Sequence, residues 1–157
     1  MILKAKPYWA AFNASSYIKE LASGNIWLVH GYSNDIFQAD KGAQEAKQSF
    51  RIRHSLPKEG AVLALDVMVI AKSAPRPDLA HQFVNFMLEG RNSAELTNMI
   101  GSGNPNQDAL RHIQPEIKAN KAVFADERSV KTLEQLKDMT PKQRQLLNRI
   151  WTEIKSR

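Results

Sequence analysis

Cysteine is absent from all 157 residues. That excludes a disulfide framework, a thiol nucleophile and a cysteine-based zinc site, and it suits the cytosol and the periplasm equally well. Long apolar runs are missing too. A membrane helix needs roughly 20 consecutive apolar residues. The longest run here, residues 61–71, is short and interrupted by Asp66, so no membrane insertion is expected. Glycine and proline number only seven each, which rules out a collagen-like or linker-type chain. With 43% hydrophobic and 24% charged residues, the composition is that of a folded globular protein. The length suits one domain of roughly 100–200 residues or two small lobes.

Acidic residues are in short supply: 16 against 22 basic ones, a formal charge of +6. The excess is local. Between Thr140 and Arg157 stand Lys142, Arg144, Arg149, Lys155 and Arg157 against Glu153 alone, which accounts for four of the six net charges. The opening Met1-Ile2-Leu3-Lys4-Ala5-Lys6-Pro7 has neither an apolar core nor a small-residue cleavage site. No signal peptide is therefore expected in this chain.

Helical and extended patterns alternate along the sequence. Asn13 and Ser15-Ser16 introduce a helix over residues 17–22 that Gly24 stops. Residues 26–30 (Ile-Trp-Leu-Val-His) predict a buried strand. Residues 35–47 predict a second helix. Phe50-Arg51-Ile52-Arg53-His54 alternates as a half-buried strand does, and residues 61–71 predict a strand covered on both faces. Pro75 and Pro77 open a helix that Gly90 stops, and residues 93–100 predict another, ended by Gly101. Short helical pieces are expected over 108–113, 115–119 and 129–137. A final helix is announced by Thr140 with Pro141 and Gln143, the pattern of a capping box. Strands mixed with helices predict an α/β fold.

Catalytic signatures are missing. His30, His54, His81 and His112 show no i,i+3 or i,i+4 pairing, and there is no P-loop, GxGxxG or GxSxG. No catalytic residue, metal site or cofactor is therefore assigned, and the chain is not expected to be an enzyme. The basic last helix could touch phosphates, but its charges face away from the apolar stripe, as on any solvated surface, so no nucleic-acid partner is assigned. Two carboxylates carry more information. Asp66 breaks an apolar run, where a charge calls for a cation, N–H donors, an internal ion pair or a cleft edge. Asp35 follows the Gly31-Tyr32-Ser33-Asn34 loop into a helix, where on its own it reads as an N-cap. A tyrosine and two carboxylates at element ends suit an organic cation: the carboxylates meet ammonium groups and the ring covers methylenes or the cation itself.

The ordered set Phe12-Asn13-Ala14-Ser15-Ser16-Tyr17, Leu21-Ala22-Ser23-Gly24-Asn25-Ile26-Trp27, Gly31-Tyr32-Ser33-Asn34-Asp35, Pro57-Lys58-Glu59-Gly60, Leu65-Asp66-Val67, Phe83-Val84-Asn85-Phe86-Met87-Leu88, Asn104-Pro105-Asn106 and Trp151-Thr152-Glu153-Ile154-Lys155 resembles the C-terminal portion of periplasmic spermidine/putrescine-binding proteins. These are the substrate-binding subunits of polyamine ABC transporters, and the likeness leans toward the putrescine-binding branch. It implies a partial type II periplasmic-binding-protein fold, with pieces of two lobes and the first half of the first lobe missing. Residues 1–64 would belong to the second lobe, 65–110 would cross into the first, and 111–157 would return to the second. It implies a periplasmic location, a polyamine ligand and, for the complete protein, an ABC permease partner. Asp35 matches a family carboxylate that holds an ammonium group, Asp66 the second one, and Tyr32 an aromatic wall. Ser102 stands where the family often has Tyr, and Ala64 replaces a family aromatic. Two other functions remain open: a non-binding remnant serving as an interaction or structural module, and a nucleic-acid-binding module. The apolar run 61–71 would lack neighbours, so a homodimer is expected, with exchanged elements as one form.

Overall fold

A computed structural model describes residues 2–121 and 123–156. Its helices arise where the sequence supplies local reasons for them. A short N-terminal helix, α1 (Ile2–Ala5), runs into a 3-10 turn over Lys6–Tyr8. Helix α2 (Tyr17–Ser23) is entered through Asn13, whose side-chain oxygen accepts from the Ser15 and Ser16 amides at 2.9 and 2.8 Å, and it closes at Gly24. Helix α3 (Ser33–Glu45) packs its small residues Ala39 and Ala43, both fully buried, toward the interior. After α4 (Pro77–Leu88) comes α5 (Gly90–Ile100). Gly90 thus opens a helix instead of stopping one. A Cβ there would lie 2.8 Å from the Asp108 carbonyl oxygen, so this corner requires the bare backbone. A 3-10 helix (Gln107–His112), α6 (Pro115–Lys118), α7 (Glu127–Val130) and α8 (Pro141–Ser156) complete the helical set among the described residues. At α8 the expected capping box forms: Gln143 Oε1 accepts the Thr140 amide at 2.8 Å, and Thr140 Oγ1 accepts the Gln143 amide at 3.3 Å.

The strands depart from expectation. A two-stranded parallel sheet joins β1 (Ala61–Val62) to β2 (Leu133–Glu134), pairing Ala61 with Leu133 and Val62 with Glu134. Residues 26–30 form no strand: Ile26 and Val29 pack against α2 and α3, while Trp27 and Leu28 are 93% and 92% exposed. Residues 50–54 keep the alternation, with Ile52 and His54 half-buried and Arg51 and Arg53 exposed, but no ladder accompanies it. Of the run 61–71 only the first two residues are strand, and it is not covered on both faces. The physical reason is common to all three. Alternation and apolarity suit a strand, but a strand exists only where a second segment accepts its N–H and C=O groups. The segment 129–137, expected to be helical, instead contributes α7 and then β2.

Two apolar clusters hold the described residues together. Tyr17, Leu21, Ile36 and Ala39 form one, with Ile26, Val29 and Ile52 against it. Ala94, Ala109, Ile113, Ile117 and Val123 form the other, which Phe37 joins. Helix α3 belongs to both, through Ile36 and Phe37. Gly101, at φ 70°, lies so close to Phe37 that an added Cβ would stand 2.1 Å from the ring. At the chain's two ends, Phe12 meets Trp151 edge-on at 5.2 Å, and Lys6 Nζ donates to the Ile154 carbonyl at 2.6 Å. No helix among the described residues is long and apolar enough to cross a membrane.

Candidate functional site

The first turn of α3 carries Asp35, and α2 lies alongside it. Tyr17, the first residue of α2, is 5% exposed and sits beneath Gly31, where a Cβ would be 2.8 Å from the ring. Its hydroxyl donates to Asp35 Oδ2 and accepts the Tyr32 amide at 3.3 Å. Asn34 Nδ2 donates to Asp35 Oδ1 at 3.1 Å. Both carboxylate oxygens are therefore oriented by neighbours. Burial, followed by the bond to Asp35, pushes the Tyr17 hydroxyl up to about 12, so it remains a proton donor throughout the neutral range. Asp35 does not cap α3. The cap position is Tyr32, in extended conformation, and the carboxylate is turned toward Tyr17.

Tyr32 presents its ring to solvent at the same helix end, 64% exposed. Ser102 is half-buried and follows Gly101, whose backbone lies against Phe37 of α3. Tyr32 and Asp35 thus share the start of α3. Asp66 lies in the exposed stretch after β1, in neither apolar cluster. Ala64 lies in that stretch too.

A half-exposed carboxylate held by two donors, with an aromatic ring beside it, can accept an ammonium group while the ring covers adjoining methylenes. Sequence reasoning missed Tyr17, because nothing local ties a residue on one helix to a carboxylate 18 positions later. Among the described residues, no group of three or more His, Asp or Glu converges as metal ligands would. A second carboxylate, Asp40, is used structurally: Arg51 grips it at 2.6 and 3.0 Å and the Ile52 amide donates to it at 2.8 Å, pinning residues 51–52 onto α3.

The family model described as "Bacterial extracellular solute-binding protein" matches residues 2–125. The chain belongs to that family. Among relatives of this solute-binding family member, a Putrescine/cadaverine-binding protein of Pseudomonas aeruginosa is 57% identical over 157 residues, covering 100% of this chain and 44% of the relative. The Putrescine-binding periplasmic protein SpuD of Pseudomonas aeruginosa is 36% identical over 99% of this chain and 42% of its own length. The Putrescine-binding periplasmic protein PotF of Escherichia coli is 34% identical over 99% of this chain and 42% of its own length. The chain therefore spans less than half the length of these curated relatives. Each of these relatives is named for the binding of a small diamine.

Proposed function

We propose that this chain supplies part of the substrate-binding component of a periplasmic ABC importer for polyamines such as putrescine and spermidine, working with a permease. Asp35 accepts one ammonium group and Asp66 the other, while Tyr32 and Ser102 line the ligand between them. The observation that carries this reading is the Asp35 carboxylate, oriented by Tyr17 and Asn34 and left half-exposed beside Tyr32. The names of the relatives, which bind putrescine, support it. Local carboxylates are needed, because a chain of net charge +6 would repel a polycation at long range.

The test is calorimetry on a chimera in which this chain replaces the matching part of the P. aeruginosa putrescine/cadaverine-binding relative. Putrescine is expected to bind. Asp35→Ala is expected to weaken it by about 10- to 100-fold, since a charge-assisted hydrogen bond contributes about 1.5–3 kcal/mol. No heat at millimolar putrescine and spermidine overturns the assignment.

A further inference from the structure

The chain's two ends build one surface. Trp9 meets Phe12 edge-on at 5.3 Å, and Phe12 in turn meets Trp151 of α8 at 5.2 Å. Lys6 Nζ ties the ends together by donating to the Ile154 carbonyl. The three rings, with Leu146, Leu147 and Ile150 of α8, remain between 39% and 47% exposed, while Ile154 is buried. Leu3 of α1 and Trp9 border one open hollow at the edge of this patch.

Cations frame the patch. At about 100° per residue, Leu146, Leu147, Ile150 and Trp151 form one stripe along α8. Lys142 and Arg149 run along one border of it with Glu153, the helix's single acid, and Arg144 and Lys155 run along the other. The charges thus border the stripe and do not oppose it, a correction to the sequence-based expectation. Lys155 Nζ also lies 5.0 Å from the centre of the Trp151 ring. Other exposed apolar stretches lack this frame: α4 and residues 63–69 hold no Lys or Arg, and each holds an Asp.

We infer that this face lies on a lipid bilayer with anionic headgroups. Trp9, Trp151, Leu146, Leu147 and Ile150 would sit at the boundary between headgroups and acyl chains, with the four bordering cations of α8 against the headgroup phosphates. Apolar side chains flanked by Lys and Arg, with tryptophan among them, suit a boundary that is apolar on one side and wet and negative on the other. A nucleic-acid duplex would meet the cations but leave the apolar stripe in water. A second copy would set the cationic borders of two helices against each other. The inference does not depend on which ligand Asp35 accepts.

The test is co-sedimentation of the chain with phosphatidylcholine vesicles, with and without phosphatidylglycerol. Binding is expected to be at least tenfold tighter with phosphatidylglycerol and to weaken as salt is raised. Trp27→Phe, at a fully exposed position, leaves Trp9 and Trp151 as the only tryptophans. Their emission should shift to the blue on the vesicles and be quenched by brominated acyl chains. Lys142→Gln with Arg149→Gln, both at exposed positions, should keep the circular dichroism of the parent and lose about 25-fold in vesicle affinity, roughly fivefold per cation. Equal binding to neutral vesicles, no binding, tryptophans left unquenched, or indifference to the paired substitution overturns the inference. So does a DNA duplex bound in preference to the vesicles, or a dimer that buries Trp151 and binds no vesicle.

Discussion

Tyr17 and Asp40 show how single side chains set the geometry around α3. Tyr17→Phe removes the donor to Asp35 Oδ2 and the acceptor of the Tyr32 amide. It is expected to lower stability by about 1–3 kcal/mol in urea unfolding. The hydroxyl's proton affinity, raised to about 12 by burial and by Asp35, carries a sign. The neutral phenol is the form the fold favours, so its contribution is complete below pH about 10 and is lost as the pH rises toward 12. Urea midpoints at pH 9 and 11 should fall more steeply for the parent than for Tyr17→Phe, and the tyrosinate absorbance difference between the two should develop near pH 12. Asp40 runs the other way. The Arg51 guanidinium, followed by the Ile52 amide among the lowering contacts, holds its carboxyl below the usual carboxylate range. Its contribution is present above pH about 4 and disappears as acid protonates it. Asp40→Asn should flatten the acid limb of the stability curve between pH 5 and 2, both approximate bounds.

At the scale of elements, most helices were legible from the sequence and most strands were not. Helices α2, α3, α4, α5 and α8 lie within a few residues of their expected bounds, because caps, proline starts and i→i+4 bonds are local. The strand expectations for 26–30 and 50–54 failed because alternation predicts a face and says nothing of the neighbour a ladder requires. Gly101 illustrates a packing constraint that a stop signal concealed. It ends α5 as expected, yet it also admits the Phe37 ring. Gly101→Ala combines a left-handed φ with that contact and is expected to cost about 1–3 kcal/mol, read from the thermal midpoint against the parent.

Seen whole, the molecule exposes apolar surface on several elements at once: Trp27 and Leu28 before α3, Val67 and Val69 after β1, Phe83 and Phe86 on α4. This chain is therefore expected to enhance the fluorescence of the apolar dye ANS strongly, and a signal no greater than that of a compact folded control would count against this exposure.

The sequence by itself determined the absence of thiol chemistry, most of the helices, the loop that delivers Tyr32 and Asp35 to a helix end, and the family. All of these depend on residue identity or on contacts a few positions apart. The tertiary structure alone decided that Tyr17 orients Asp35, that α3 serves two apolar clusters, and that the most strand-like run in the chain lies open. Each of these is a contact between distant segments, or the lack of one, and neither periodicity nor composition records which segments meet.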